Sequence, residues 1–234
     1  MGDNIAVTNV QAEFYGGHIA GHAYFDPTPT DGTDFSFRLK VNEADLHRLM
    51  SDLTTNTKTN KLEGILTGEL AIDSASTRDP KSWQGHGRVD LRDGLIWEFP
   101  VFGLFSPLLN AVSSGLGNSR ARQGDATFTI KNSVISTKDL QVHAVGARLD
   151  YDGWVDFETK VHGKVEAELF RNLPLFGKIM SLALWPVSKI FEYKITGTLA
   201  QPKAEPVYVP GFLLHPFRSL KGLLPEEPKP PEKK

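Results

Sequence analysis

Hydrophobic and polar residues alternate with a period of two along most of this chain, the pattern of strands that turn one face to a core and the other to water. In 15–26, Ile19, Gly21, Ala23 and Phe25 share one parity, and His18, His22 and Tyr24 share the other. In 62–73, Leu66, Gly68, Leu70 and Ile72 oppose Thr67, Glu69 and Asp73, and in 161–169, Val161, Gly163, Val165, Ala167 and Leu169 oppose His162, Lys164, Glu166 and Glu168. Segments 33–41, 149–157 (with Tyr151, Gly153 and Val155) and 193–199 (with Ile195 and Gly197) behave likewise. Asp93-Gly94, between 88–92 and 95–97, predicts a two-residue hairpin. Asn132-Ser133 and the surroundings of Gly146 carry weaker turn chemistry. The tally is about eleven strands, with hairpin-length connections that make them mainly antiparallel.

Helical signals are few. Asn42 is placed to cap a helix over 43–53 with Leu46, Leu49, Met50 and Leu53 on one face. Two further helices are expected after prolines, over 101–116 and 175–191, since a helix accepts proline in its first turn. A short amphipathic piece over 212–224 is interrupted by Pro216.

Six glycines, Gly21, Gly68, Gly87, Gly153, Gly163 and Gly197, sit inside these strand patterns, each on the apolar parity. Glycine weakens a strand interior and marks a bend or the close approach of another body. Two accounts follow: curvature with helices packed over the dents, or a groove floored by the dents in which an apolar ligand lies. About eleven strands at ~4.8 Å make a sheet ~50 Å wide, whereas three helices of ~10 Å cover ~30 Å of it. Part of the apolar face is therefore left to a fold of the sheet onto itself, another chain or a hydrophobic ligand. The expected fold is mainly β, a long, curved, mostly antiparallel open sheet with helices covering part of its apolar face. Candidate groove residues are Gly21, Phe25, Leu66, Gly68, Leu70, Gly87, Val89, Tyr151, Gly153, Val155, Gly163, Val165, Ile195 and Gly197.

Composition narrows the chemistry. With 26 Lys+Arg against 28 Asp+Glu in 234 residues, no basic surplus points to nucleic acid. The absence of cysteine removes disulfides, thiolate nucleophiles and Cys-based zinc sites. The most apolar stretch, 173–191, is interrupted by Lys178, Lys189, Pro174 and Pro186, so it reads as a buried or surface-lying segment rather than a membrane span. The residues from 1 to 7 lack the basic and apolar regions of a secretory signal. The expected organisation is a β-sheet domain over 1–205, an amphipathic segment over 206–224 and a disordered Pro/Lys/Glu tail over 225–234.

No nucleophile elbow, P-loop or dinucleotide fingerprint occurs, so an enzyme is not expected. The glycine-rich 114–119 lacks the lysine that phosphate binding requires. His18 and His22 would pair on one face of a helix, but on a strand they stand ~13 Å apart, too far for one metal ion. His143 and His162 fall on polar parities, and Glu166 and Glu168 repeat at the strand period as a solvated face. Trp97, Phe99, Phe102, Phe105, Trp185 and Phe191 are expected either in the core or at the mouth of a groove.

The apolar-x-Gly-x-apolar strands, the run 85–104 leading into a helix, the 126–140 segment, Asn-Leu-Pro-Leu-Phe-Gly at 172–177 and the closing 191–203 together resemble the C-terminal region of AsmA-like envelope proteins over roughly residues 4–205. The resemblance implies a non-enzymatic bacterial envelope protein of the AsmA/TamB type, on the periplasmic side. Its apolar groove would bind or conduct phospholipid between inner and outer membranes, supporting outer-membrane biogenesis. It implies inner- or outer-membrane protein partners and an anchor in a segment outside this chain, and it carries over no catalytic residue, cofactor or metal. Ser133 stands where the family places glycine after a turn Asn or Asp. The other expected role is a scaffold that docks another envelope protein, or another copy, through an open edge or the apolar face.

Overall fold

The computed structural model describes residues 4–27, 31–53, 62–95, 97, 99–112, 115–118, 121–144, 147–169 and 189–208. Eleven strands form one sheet in strict sequence order. They are β1 (Ile5–Phe14), β2 (Gly17–Asp26), β3 (Asp34–Asp45), β4 (Ile65–Ser76), β5 (Asp79–Gly94), β6 (Ala121–Lys131), β7 (Val134–Ala144), β8 (Ala147–Asp156), β9 (Val161–Leu169), β10 (Lys189–Gly197) and β11 (Pro202–Tyr208). Every pairing is antiparallel, and among the described residues β1 and β11 are the open edges. The sheet thus has the predicted architecture, and its last strand runs three residues past the expected boundary at 205.

The period-two pattern closes into rows. One runs Ala44, Leu66, Leu91, Gly124, Val142, Leu149, Ala167 and Phe191 from β3 to β10. Another runs Val7, Ala23, Phe37, Ile72, Gly85, Ile130, Ile135, Val155 and Val161 from β1 to β9. This apolar face is concave. Trp83 on β5 and Phe157, just past β8, lie three strand spacings apart, or ~14 Å in a flat sheet, yet their rings meet at 5.6 Å.

The opposite face is polar and tied by cross-strand ion pairs. Lys40 Nζ sits 3.1 Å from Glu69, its register partner, and Arg148 Nη2 sits 2.9 Å from Glu168, also its register partner. Such exposed pairs are worth only ~0.2–1 kcal/mol each, so the register is fixed mainly by the buried rows.

Among the described residues three short α-helices, α1 (Leu46–Leu53), α2 (Pro100–Gly103) and α3 (Ser106–Val112), and a 3-10 turn at Leu116–Asn118 interrupt the meander. The helix expected over 43–53 begins later. Asn42 pairs with His18 inside the sheet, and Asp45 provides the cap, its Oδ1 accepting from the Arg48 backbone N–H at 3.1 Å. The helix expected over 101–116 is split at Leu104–Phe105. Pro100 occupies the first turn of α2 as expected, after an extended Phe99.

Asp93-Gly94 does not make a hairpin. Asp93 has φ +54°, but Gly94 still pairs with Ala121, and Leu95 donates its N–H to Glu63 before the chain leaves for α2. The β6–β7 hairpin does turn at Asn132-Ser133, with φ +53° and +62°. Ser133 therefore holds a left-handed conformation that glycine adopts at less cost. Ala144 pairs with Ala147 across the Gly146 region. Phe191, expected to end a helix, lies in β10. Residues 175–188 of the helix expected over 175–191, the piece expected over 212–224, Trp185 and the 225–234 tail lie outside the described residues.

Side-chain burial is uneven. The principal core joins β7–β10 to the helical segment. Phe105, fully buried in the corner between α2 and α3, stacks on Phe191 at 5.6 Å and meets Tyr193 edge-on at 5.4 Å. A smaller cluster of Ile72, Ala75 and Ile130 gathers Phe35, Phe37 and Trp83 at the far end of β3–β6.

Candidate functional site: an apolar cavity on the concave face

Between these two clusters the concave face is not filled. A cavity of about 370 Å³ lies over β4–β9, floored by Leu66, Val89, Gly124, Ala126 and Val155 and walled by Phe99, Val101 and Phe102 from the α2 segment and by Leu46 of α1. Among the described residues that line it, Asp125 and Tyr151 are the only ionisable ones. Leu199, 41% exposed, belongs to the lining from the β10–β11 turn. Among the described residues the helices stop short of this strip. Phe105 and Leu109 seat the helical segment on β8–β10, and the strip beside it meets the flank of α2 and Leu46 of α1.

The candidate residues divide into four groups. Leu66, Val89, Tyr151, Gly153 and Val155 do line this cavity. Gly163, Val165 and Ile195 are core instead, with Val165 and Ile195 fully buried beside Tyr193. Gly21, Leu70 and Gly87 lie in one row with Leu39 and Phe128, to one side of the cavity, and Gly68 faces Val41 and Val89. Phe25 packs near Phe35 at 6.4 Å, and Gly197 ends β10 with φ +95°, a turn position rather than a mid-strand dent.

The dents themselves are occupied. A Cβ on Gly87 would collide with the Phe128 ring, and one on Gly21 would lie 2.8 Å from Leu39 Cδ2. Gly153 and Gly163 face each other in register, and the Tyr151 phenol lies over both, its oxygen 2.5 Å and 2.7 Å from their would-be Cβ atoms. Burial pushes the Tyr151 hydroxyl up to about 12, and the Tyr193 hydroxyl likewise, so both stay neutral at any physiological pH. At Gly21, Gly87, Gly153 and Gly163 the missing side chains thus make room for Leu39, Phe128 and Tyr151 of the sheet itself, and Gly153 also lines the open volume beside Gly124 and Ala126.

Those residues, Gly124 and Ala126, escaped the sequence reading although Gly124, Ala126, Phe128 and Ile130 alternate cleanly with Gln123, Asp125, Thr127 and Thr129. On β7 the signal is broken. A register shift between Thr137 and Leu140 moves the concave positions from odd to even numbers, so Leu140 and Val142 look out of phase with Ile135. Phe99 and Phe102 stand at the cavity, whereas Trp97, Phe105 and Phe191 are core, so the aromatic set is shared between both expected roles.

The polar face carries, over β2–β6, a shallow depression lined among others by His22, Arg38, Lys40, Glu69, His86 and Arg88. His18 and His22 stand opposite Asn42 and Arg38 on β2, both exposed, and His162 stacks on Trp154 at 5.8 Å. Glu166 and Glu168 are bound to Lys164 and Arg148. Among the described residues no group of three or more His, Asp or Glu could hold a metal ion, and no helix is long and apolar enough to cross a membrane. Comparison of the chain with known protein families, with curated proteins and with solved structures gives no match.

Proposed function

We propose that this chain is a non-enzymatic bacterial envelope protein that holds an acyl lipid in the concave cavity, as part of phospholipid handling between the two membranes. The observation that carries the reading is the lining, almost wholly hydrocarbon, of a 370 Å³ space beside well-packed clusters. Ligand sites are typically mostly apolar clefts of roughly this size, about 300–1,000 Å³. The AsmA-like strand and turn motifs support the envelope setting.

Size limits the ligand. A 150 Å³ apolar cavity accommodates benzene, so 370 Å³ accommodates roughly 15 carbon atoms, one acyl chain and not two. The described lining residues include no Lys, Arg or His, so the head group is placed at the rim in water, with selectivity resting on the chain. Transfer of such a chain yields on the order of 10 kcal/mol gross, and lost rigid-body freedom consumes at least ~4 of it, which leaves affinity in the micromolar range.

Purification without detergent followed by lipid extraction and native mass spectrometry is expected to give one acyl lipid per chain, or uptake of one added fatty acid after delipidation. A preparation that carries no lipid and takes up neither palmitate nor lysophospholipid would overturn the reading.

A further inference from the structure

The two open edges of the sheet are built differently. The β11 edge carries Pro202 and Pro206, which lack an N–H, together with Lys203 and Glu205. Proline, Lys and charge are the usual means of keeping a foreign strand off an edge. The β1 edge has ten residues with no proline and no lysine, and Glu13 is its only charge. Its concave-face residues are apolar and reach the rim, with Ile5 54% and Val7 39% exposed.

The one irregularity in β1 decides which strand fits. Between Val7 and Val10 the strand holds one residue more than β2, and Asn9 has φ +56°. The bulge shifts side-chain parity, so Ile5 and Val7 on one side and Val10, Ala12 and Phe14 on the other all belong to the concave face. A regularly spaced strand laid along this edge would lose register at the bulge. A second β1 laid antiparallel about the Thr8–Asn9 centre keeps it, because each extra residue meets the other copy's extra residue. Val7 then faces Val10 and Ile5 faces Ala12, concave with concave, while Ala6 faces Gln11. Glu13 falls opposite Asn4, so the only charged residue of the edge does not meet its like.

We infer that β1 is a self-complementary edge through which two copies of this chain pair antiparallel, joining their concave faces across a two-fold axis. The pairing is independent of lipid in the cavity, which begins at β4.

The chain has no cysteine, so introduced thiols report alone. Opposed residues in an antiparallel pair stand ~4.5–5.5 Å apart at Cα, within disulfide reach, whereas Val7 of one copy lies about three residues, ~10 Å, from Val7 of the other. Mild oxidation is expected to link Val7→Cys to Val10→Cys when the two variants are mixed, and to link neither efficiently by itself. Light scattering is expected to show a dimer of the unaltered chain at tens of micromolar. Val7→Lys should weaken that dimer at least tenfold with the circular dichroism spectrum unchanged, and Val207→Lys on β11 should leave it intact. A monomer at every concentration would overturn the inference. So would dissociation by Val207→Lys, which would mean head-to-tail association, or disulfides formed as readily by Val7→Cys alone as in the mixture.

Discussion

Small residues on the concave face do two different jobs, and the atoms around each would-be Cβ distinguish them. At Gly163 a side chain would lie 2.7 Å from both the Tyr151 phenol and the Asp152 carbonyl oxygen, and Gly153 is equally closed. At Gly124 the nearest atoms are 3.6–3.9 Å away, ordinary contact, and the position opens into the cavity. Gly163→Val is therefore expected to destabilise the fold by about 3 kcal/mol through overpacking that neither a rotamer change nor the backbone can absorb. Gly124→Val is expected to keep or raise stability by up to ~1 kcal/mol, since valine favours a strand and narrows the unfolded ensemble, while it fills cavity volume and lowers lipid stoichiometry. Chemical denaturation and lipid extraction of the two variants read both effects. Equal stability losses at both positions would remove the distinction. A bulky residue at Gly163 would thus test packing, and Gly124 is the position that tests the cavity.

At the scale of the element, the strands were legible because one face of each is buried and the other solvated, which writes a period of two into 33–41, 62–73 and 161–169. The faults fall where the ladder itself is irregular. Asp93-Gly94 has hairpin chemistry, yet the pairing of Gly94 with Ala121 and the Leu95 N–H donated to Glu63 carry the chain onward, a long-range choice that no dipeptide encodes. Asn42 resembles a helix cap but is held in β3 by its pairing with His18. The β7 shift hid Leu140 and Val142 of the cavity lining, and it is built on a carboxylate. Asp139 accepts from the Thr127 backbone N–H at 2.9 Å, the Thr127 hydroxyl at 2.6 Å and the Thr137 hydroxyl at 3.1 Å, covering the gap in the β6–β7 ladder between Asp125 and Thr129. The Thr127 hydroxyl, first among these donors, holds the Asp139 carboxyl below its usual value. A lowered folded value means that the contribution is present above the unfolded carboxyl range, near pH ~3.9, and is lost as pH falls through the folded value. Asp139→Asn is expected to cost about 1 kcal/mol at neutral pH, the scale of a partly exposed hydrogen-bond set, and to flatten the fall in stability below pH ~4. A variant whose denaturation midpoint tracks the parent's at pH 3 and pH 7 alike would exclude this role.

For the whole molecule, strict sequence order means that each strand is hydrogen-bonded only to its neighbours in the chain, as in a repeat array. Stability then follows local burial and need not be uniform. β1 is exposed along most of its length, whereas β8–β10 hold Leu149, Val165, Ala167, Phe191, Tyr193 and Ile195 at 1% exposure or less. Amide exchange is expected to be fastest in β1 and slowest in β8–β10. The cavity draws its lining from β4 through β9 and from α1, so an acyl chain inside it touches both the sparsely and the densely packed halves. Lipid at a hundred times its dissociation constant would add ~2.7 kcal/mol to every opening that releases it, and slow exchange in β5 and β6 by up to a hundredfold while leaving β1 unchanged. Pairing of two copies acts elsewhere, protecting β1 with rising protein concentration and leaving β5 and β6 alone. The two interactions can therefore be read independently in one exchange experiment that varies lipid and protein concentration in turn. Protection of β1 by lipid, or a uniform response of all strands to either variable, would show that the sheet unfolds as one cooperative body and that neither ligand nor partner acts locally.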